Sequence, residues 1–461
     1  MTPPRSGPAP TQSQALATFA LSLQTQAIPH AVRDKARAHF LDALGVALAS
    51  STFDFGAAVL KAARNLGNGT EAHAFGSGAS LPAASAALVN GTLAHGLDYD
   101  DTHIAAIYHA SAPALATVLA AGEAAQSTGT EVLNAFVVAL ELGCRLAGAA
   151  PGEFHERGLH PTAMCGVFAA TAASARLHQA SHEALVNALG LAGSQAGGIL
   201  ELSEGWLKRL HPGWAAHSGL VADALGRAGF KGPSTVFEGP RGFYAAHLGH
   251  VPQGDKLPAH ALGEIWHTLG IALKPYPCCH FLHGFVDAAL VVRDQVTVAD
   301  IERIDCPISP ALQRMVGAPQ EEKQRPTTVY QALFSVQWAV SLALVKGRVD
   351  LAAFHDSPLD DAAVRALAVR TFCVDDPLSD FPKHFPGEVR ITLKDGRVIT
   401  HREATSLGTP ERPLSRAAID AKFMANASRA LGSERARHVS EAIWHLDEMP
   451  HIGDLLALCK I

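Results

Sequence analysis

Cysteine is scarce in this chain. There are seven among 461 residues, scattered and odd in number, with no CxxC pair. A disulfide framework or a zinc ribbon is thereby excluded, and a reducing, cytoplasmic setting is the expectation. Charged residues are also few, at 17%, and the formal net charge is −6. Such a chain has no general attraction for nucleic acid or anionic lipid, so neither is expected as a partner. An anionic small molecule would have to be held by a local cationic pocket. No uninterrupted apolar run reaches the roughly 18 residues that suggest a membrane span. The opening MTPPRSGPAPTQSQ lacks the apolar core of a signal peptide and reads as a short floppy tail.

Motifs are missing as well. Gly76-Ser77-Gly78 has no third glycine in the register of a dinucleotide fingerprint. There is no GxxxxGK[ST], no GxSxG, no HExxH and no EF-hand spacing. Nucleotide-driven and serine-hydrolase chemistry have no support, and neither a cofactor nor a metal is expected.

Apolar residues make up 48% of the chain, ample for a large core. In residues 29–50, Ala36, Phe40, Leu41, Leu44 and Leu48 recur at helical spacing, with Pro29 suited to a first turn. Stretches around Pro82–Leu97, Ala112–Ser127, Thr130–Ala149 and Thr162–His178 are Ala-rich and apolar on wide faces, which predicts closely packed helices. After about residue 268 the character changes. Residues 296–309 and 369–375 are richer in β-branched residues, and 389–401 alternates around Asp395-Gly396, a pair that fits a type I′ hairpin turn. Residues from Ser415 to Leu458 return to helical patterning. The expected organisation is mainly α: helical segments 1–268 and 406–461 forming one domain, and an α+β unit over 269–405.

Four stretches have the residue types for chemistry. Asp98, Asp100 and Asp101 lie with His95, His103 and His109 within fifteen residues. A solvated acidic loop after a helix explains this as well as an acid–base site does, and a metal site is a third reading. His160 precedes Pro161 at the mouth of an apolar helix, where it could cap the helix or meet a substrate carboxylate favoured by the dipole. Lys208 and His211, three residues apart, share a helix face that is either an ordinary basic end or a cationic clamp. In Lys274-Pro275-Tyr276-Pro277-Cys278-Cys279-His280, two prolines fix an extended segment and present Lys274 rigidly. Cys278 and Cys279 read as small core residues rather than nucleophiles.

At these stretches the sequence resembles the MmgE/PrpD family, which includes 2-methylcitrate dehydratase, cis-aconitate decarboxylase and iminodisuccinate epimerase. The matching pieces are ALVNGTLAHGLDYDDTH (Ala87–His103), GLHPTAMCGVFAATAASARL (Gly158–Leu177), LKRLHPGWAAHSG (Leu207–Gly219) and KPYPCCHFLHG (Lys274–Gly284), with a weaker match over Ala332–Gly347. The resemblance implies a helical domain formed from both chain ends, an inserted α+β lid, a homodimer and a site between body and lid. It implies catalytic roles for Asp98, His109, His160, Lys208 and Lys274, and substrate contacts from Thr102, with His103, His211 and Tyr276 as further candidates. His109 matches after a one-residue length difference, so His103 competes with it. Trp338 stands where the decarboxylase has a tyrosine, which speaks against that reaction specifically.

The expected activity is a cofactor-independent lyase on a small di- or tricarboxylate, with 2-methylcitrate-like dehydration first. Epimerisation and decarboxylation follow, and an inert binding dimer is the reading from another class. Lysines would clamp carboxylates while imidazoles move protons at the neighbouring carbon.

Overall fold

The computed structural model describes residues 9–202, 205–356, 359–381 and 383–460. Residues 1–8 of the expected tail lie outside this set. From Thr11 on the tail expectation fails, because Thr11 and Gln14 form a reciprocal capping box that starts a helix at Gln12–Ser22.

The chain forms two compact units, one from the residues up to Ile271 together with those from Ser415 on, the other Ala272–Leu414. The first unit is built mainly of helices: α1 (His30–Ser50), α2 (Ala83–Ala94), α3 (Ser111–Ala124), α4 (Gly129–Gly148), α5 (Pro161–Leu177) and α6 (Leu207–Arg227). It is not wholly helical, since Ala72–His73 pairs antiparallel with Ser80–Leu81. Pro29 is the N-cap of α1 rather than a residue of its first turn. Helices α2, α3 and α5 are buried almost all round, as their Ala-rich sequences predict.

Small residues set how closely these helices pack. A Cβ on Gly91 of α2 would lie 2.7 Å from Gly213 Cα of α6, so the two backbones touch there. Gly219 of α6 meets Ala170 and Thr171 of α5 in the same manner, and Gly166 of α5 meets Ala215 of α6. Among the described residues, no single helix is long and apolar enough to cross a membrane.

The second unit contains α7 (His283–Val292), α8 (Val336–Lys346) and strands β1 (Ile301–Ile308), β2 (Thr371–Asp375), β3 (Gly387–Leu393) and β4 (Val398–Glu403). The sheet order is β2-β1-β3-β4. β1 runs parallel to β2 and antiparallel to β3, which pairs antiparallel with β4. The Asp395-Gly396 connection is a hairpin, but not the expected type I′ turn. Only Gly396 has a positive φ, and its N–H donates to the Leu393 carbonyl, which gives a turn followed by a left-handed glycine. Residues after Thr405 stay with this unit because the Leu273 N–H donates to the Gly408 carbonyl at 3.0 Å and the Leu407 N–H donates to Asp287 at 2.7 Å.

The last long helix, α9 (Arg416–Leu431), belongs to the first unit and packs on α1, where Gly45 accepts the ring of Phe423. There Lys422 reaches Asp42 at 2.6 Å and the Tyr99 carbonyl at 2.8 Å, with its Nζ over the Tyr99 ring. Burial pushes the Asp42 carboxyl up to about 6, although the Lys422 ammonium opposes that shift.

Candidate active site

Within the first unit the polar residues gather where helices end. His95 is the C-cap of α2, His109 stands two residues before α3, His160 is the N-cap of α5, and Lys208 and His211 lie in the first turns of α6. The backbone contact of Gly91 with Gly213 fixes the end of α2 against the start of α6. The His109 N–H donates to Thr162 Oγ1 at 3.2 Å, which joins the starts of α3 and α5. His160 Nδ1 and His211 Nδ1 share a hydrogen bond of 2.8 Å, which joins α5 to α6. His160 makes no side-chain cap to its own helix, so its ring is committed to the cluster.

The loop between α2 and α3 is tied down from inside. Asp101 accepts from the Ser111 N–H at 3.0 Å and from the Ser111 hydroxyl, and lies 2.6 Å from His39 of α1. Burial alone would raise the Asp101 carboxyl, but His39 and Ser111 outweigh it and hold it below the ordinary value. Asp98 adopts a left-handed backbone conformation, with φ of 52°, which aspartate tolerates better than most residues. His103 and Tyr108 exchange two backbone hydrogen bonds and close the loop on itself.

Around this frame the imidazoles crowd together. The His95 and His109 ring centroids are 4.5 Å apart, each lies 5.9 Å from that of His160, and His160 is 5.0 Å from His211. His109 Nδ1 bonds to the Asp101 carbonyl oxygen at 2.8 Å, with Thr102 Oγ1 at 3.4 Å. Lys208 Nζ donates to Asp98 Oδ1 at 2.8 Å. Burial, then the positive fields of His95, Lys208, His211 and His155, pushes His160 well below its ordinary value. His211 and His155 are pushed down to about 4, again chiefly by burial. Near neutral pH these three are therefore uncharged imidazoles, able to donate or accept hydrogen bonds.

Asp98, Thr102, His109, His160, Lys208 and His211 are thus brought together. His103 is not part of the imidazole group: its ring lies 5.6 Å from that of His267, and burial, followed by His267, pushes it down to about 4. Asp98 pairs with Lys208, and Asp100 holds His95 Nδ1 at 2.8 and 2.9 Å. Lys274 and Tyr276 lie in the second unit, where Lys274 is buried and the Tyr276 hydroxyl donates to Asp287 at 2.7 Å. Cys278 and Cys279 are buried free thiols.

Sequence reasoning placed His95 and Asp100 in the polar cluster without giving either a role of its own, and passed over His155. The HGLDYD spelling from His95 to Asp100 carried the signal, but that pair forms across a helix end, where no periodicity points to it. One ligand atom each from His95, His109 and His160 lie within 4.8 Å of one another, as do those of His95, Asp98, Asp100 and His109, so either group could hold a metal ion.

Comparison with known proteins gives matches over most of the chain. The MmgE/PrpD N-terminal domain matches residues 14–254, and the MmgE/PrpD C-terminal domain matches residues 276–448. The chain is 30% identical over 385 residues to the cis-aconitate decarboxylase-like protein oryM of Aspergillus oryzae, covering 78% of this chain and 79% of that one. It is 27% identical over 384 residues to the cis-aconitate decarboxylase of Aspergillus terreus, covering 78% of each. Against that of Homo sapiens it is 27% identical over 379 residues, covering 79% of this chain and 76% of the other.

Proposed function

The chain belongs to the MmgE/PrpD family, and from that premise we propose that it is a lyase acting on a small di- or tricarboxylate by acid–base chemistry at carbon beside a carboxylate. The observation that carries this reading is the meeting of Lys208 with the buried neutral imidazoles of His160 and His211 at the starts of α5 and α6. Helix N-termini favour negative charge, and Lys208 adds a full positive one. A carboxylate settling there would share Lys208 with Asp98. The electron-rich carbon formed when a neighbouring C–H or C–C bond breaks would find positive charge and donors already in place, with little reorganisation.

In this reading His109 and His160 exchange protons with the reacting carbons, Thr102 and His211 add hydrogen bonds, and Lys274 binds a second carboxylate, the role that the family resemblance implies. Dehydration of a 2-methylcitrate-like hydroxy acid is the first reaction to test. Decarboxylation is the second reading, favoured because the relatives carry the name cis-aconitate decarboxylase. Against it stands Trp338, which has no hydroxyl to offer.

Proton NMR in deuterated water with a panel of polycarboxylates tests this. Dehydration gives a new alkene signal with the carboxylates retained, decarboxylation releases carbon dioxide, and epimerisation washes in deuterium without net loss. His109→Ala and His160→Ala should each lower turnover by about 10²–10⁴-fold. A loss below about tenfold in both variants rejects their assignment. Lys274→Ala should chiefly raise KM, and unchanged affinity removes it from the site.

A further inference from the structure

We infer that His95 is a third proton-exchanging imidazole of this site and that Asp100 is its positioning residue, an inference that rests on the acid–base reading above. His95 is buried at the end of α2, and its ring stands 4.5 Å from His109 and 5.9 Å from His160, the two groups already assigned to proton exchange. Both Asp100 oxygens lie within hydrogen-bond reach of His95 Nδ1, at 2.8 and 2.9 Å. A carboxylate there requires Nδ1 to carry the hydrogen, which leaves a lone pair on Nε2. That Nε2 is buried and has no hydrogen-bond partner among the described residues. Leaving a buried polar atom unsatisfied costs about 1–3 kcal/mol, so a nitrogen held in this state is poised for a partner that arrives with the substrate.

Chemistry separates His95 from its neighbours. His109 Nδ1 is bonded to a backbone carbonyl and His160 Nδ1 to another imidazole. Asp100 lies farther from His109 Nδ1, at 3.6 Å. At His95 a carboxylate stands directly behind the nitrogen opposite its free lone pair. That is the arrangement that stabilises an imidazolium once a proton has been taken. His39 and Asp101 form a similar buried pair, but the ring contacts that join His95 to His109 and His160 are not made by His39.

The step balances without a co-reactant. The C–H bond beside a substrate carboxylate breaks, its proton forms an N–H bond at His95 Nε2, and its electron pair stays on carbon, delocalised into that carboxylate. The imidazolium charge is matched by Asp100. In deuterated water the imidazolium exchanges its proton for a deuteron, and the reverse step leaves a C–D bond at the same carbon.

The test uses the full-length protein and a polycarboxylate that the wild type processes. His95→Gln should lower kcat and deuterium wash-in by about 10²–10⁴-fold with KM nearly unchanged. Asp100→Asn should lower kcat by about 10–100-fold, also with KM unchanged. His95→Gly should regain activity on addition of imidazole, which a purely structural histidine would not. A folded His95→Gln variant with kcat within about tenfold of wild type overturns the inference. Equal imidazole rescue of His39→Gly overturns it too. If the His95 variants do not fold, unchanged kcat in Asp100→Asn overturns it. Loss of activity in the His109 and His160 variants with none in His95→Gln leaves the proposed function standing and removes this inference alone. A wild type that processes no polycarboxylate removes both.

Discussion

Replacing Gly213 by alanine places a methyl group 2.3 Å from the Leu88 carbonyl oxygen and 2.4 Å from Thr92 Oγ1. An ordinary carbon–oxygen contact is about 3.3 Å, so α6 must draw back from α2 by roughly 1 Å. Backbone cannot swing aside as a long side chain could. Overpacking of this kind costs about 1–3 kcal/mol, and alanine recovers about 1 kcal/mol through its better helix propensity. The net loss of stability is therefore small, at most about 2 kcal/mol.

Activity should fall much further. Gly213 lies two residues from His211 and five from Lys208 on the same helix, so the shift moves both relative to His95 and Asp98. A misplacement of about 1 Å can cost on the order of 10²-fold in rate. The signature is a modest drop in melting temperature with a large drop in turnover, read by circular dichroism and by NMR on a polycarboxylate that the wild type processes. Gly148→Ala is the control, because a Cβ there meets nothing within 4 Å. It should leave turnover unchanged and keep or slightly raise stability. A Gly213→Ala protein with wild-type melting and wild-type turnover would show that the two helices are not in backbone contact, and the link drawn here between packing and chemistry would fail.

Lys422→Met leaves Asp42 buried beside an apolar chain, and loss of one partner of such a pair should cost about 3–5 kcal/mol; chemical denaturation measures it, and a loss below about 1 kcal/mol would mean that the pair is solvated. Acid should destabilise the fold through His103, His155, His160, His211 and His267, all held below their ordinary value by burial. The unfolded chain takes up these protons as pH falls through about 6.5, while the fold refuses them until about 4 at His103, His155, His211 and His267 and resists protonation of His160 as well, so stability is full above that window and declines within it by about 1.4 kcal/mol per pH unit per group. Asp42, raised to about 6, works in the opposite direction and reduces the net slope; a melting temperature at pH 5 equal to that at pH 7.5 would contradict the balance. Removal of metals with a chelator should leave turnover intact, and a loss restored by a divalent cation would mean that the imidazole group works as a ligand set.

The helical body was legible in the sequence because its signals are local. Pro161 marks the first residue of α5, and the Ala-rich runs mark helices buried on all sides. The four candidate stretches were legible as chemistry, but their partners were not. Lys208 meets Asp98 across 110 residues, and Lys422 reaches the Tyr99 carbonyl across 323. No local period carries such information. This is why a dense acidic loop could be read as solvated: composition shows three aspartates but not the cations that join them. In the fold Asp98 meets Lys208, Asp100 meets His95 and Asp101 meets His39, while nearby Asp42 meets Lys422. A carboxylate alone in such an interior would take up a proton and lose its charge. One opposed to a lysine can stay ionised, and one opposed to an imidazole can do more, since the imidazole is able to take up a proton near neutral pH and return it. The pairing that makes the loop tolerable inside the protein leaves a buried, unsatisfied Nε2 on His39 and on His95, and it is the His95 ring that stands against His109 and His160. A substrate reaching the His95 nitrogen meets a base whose counter-charge is already in place, and the loop that looks like a burden on stability becomes the means by which a proton can leave carbon.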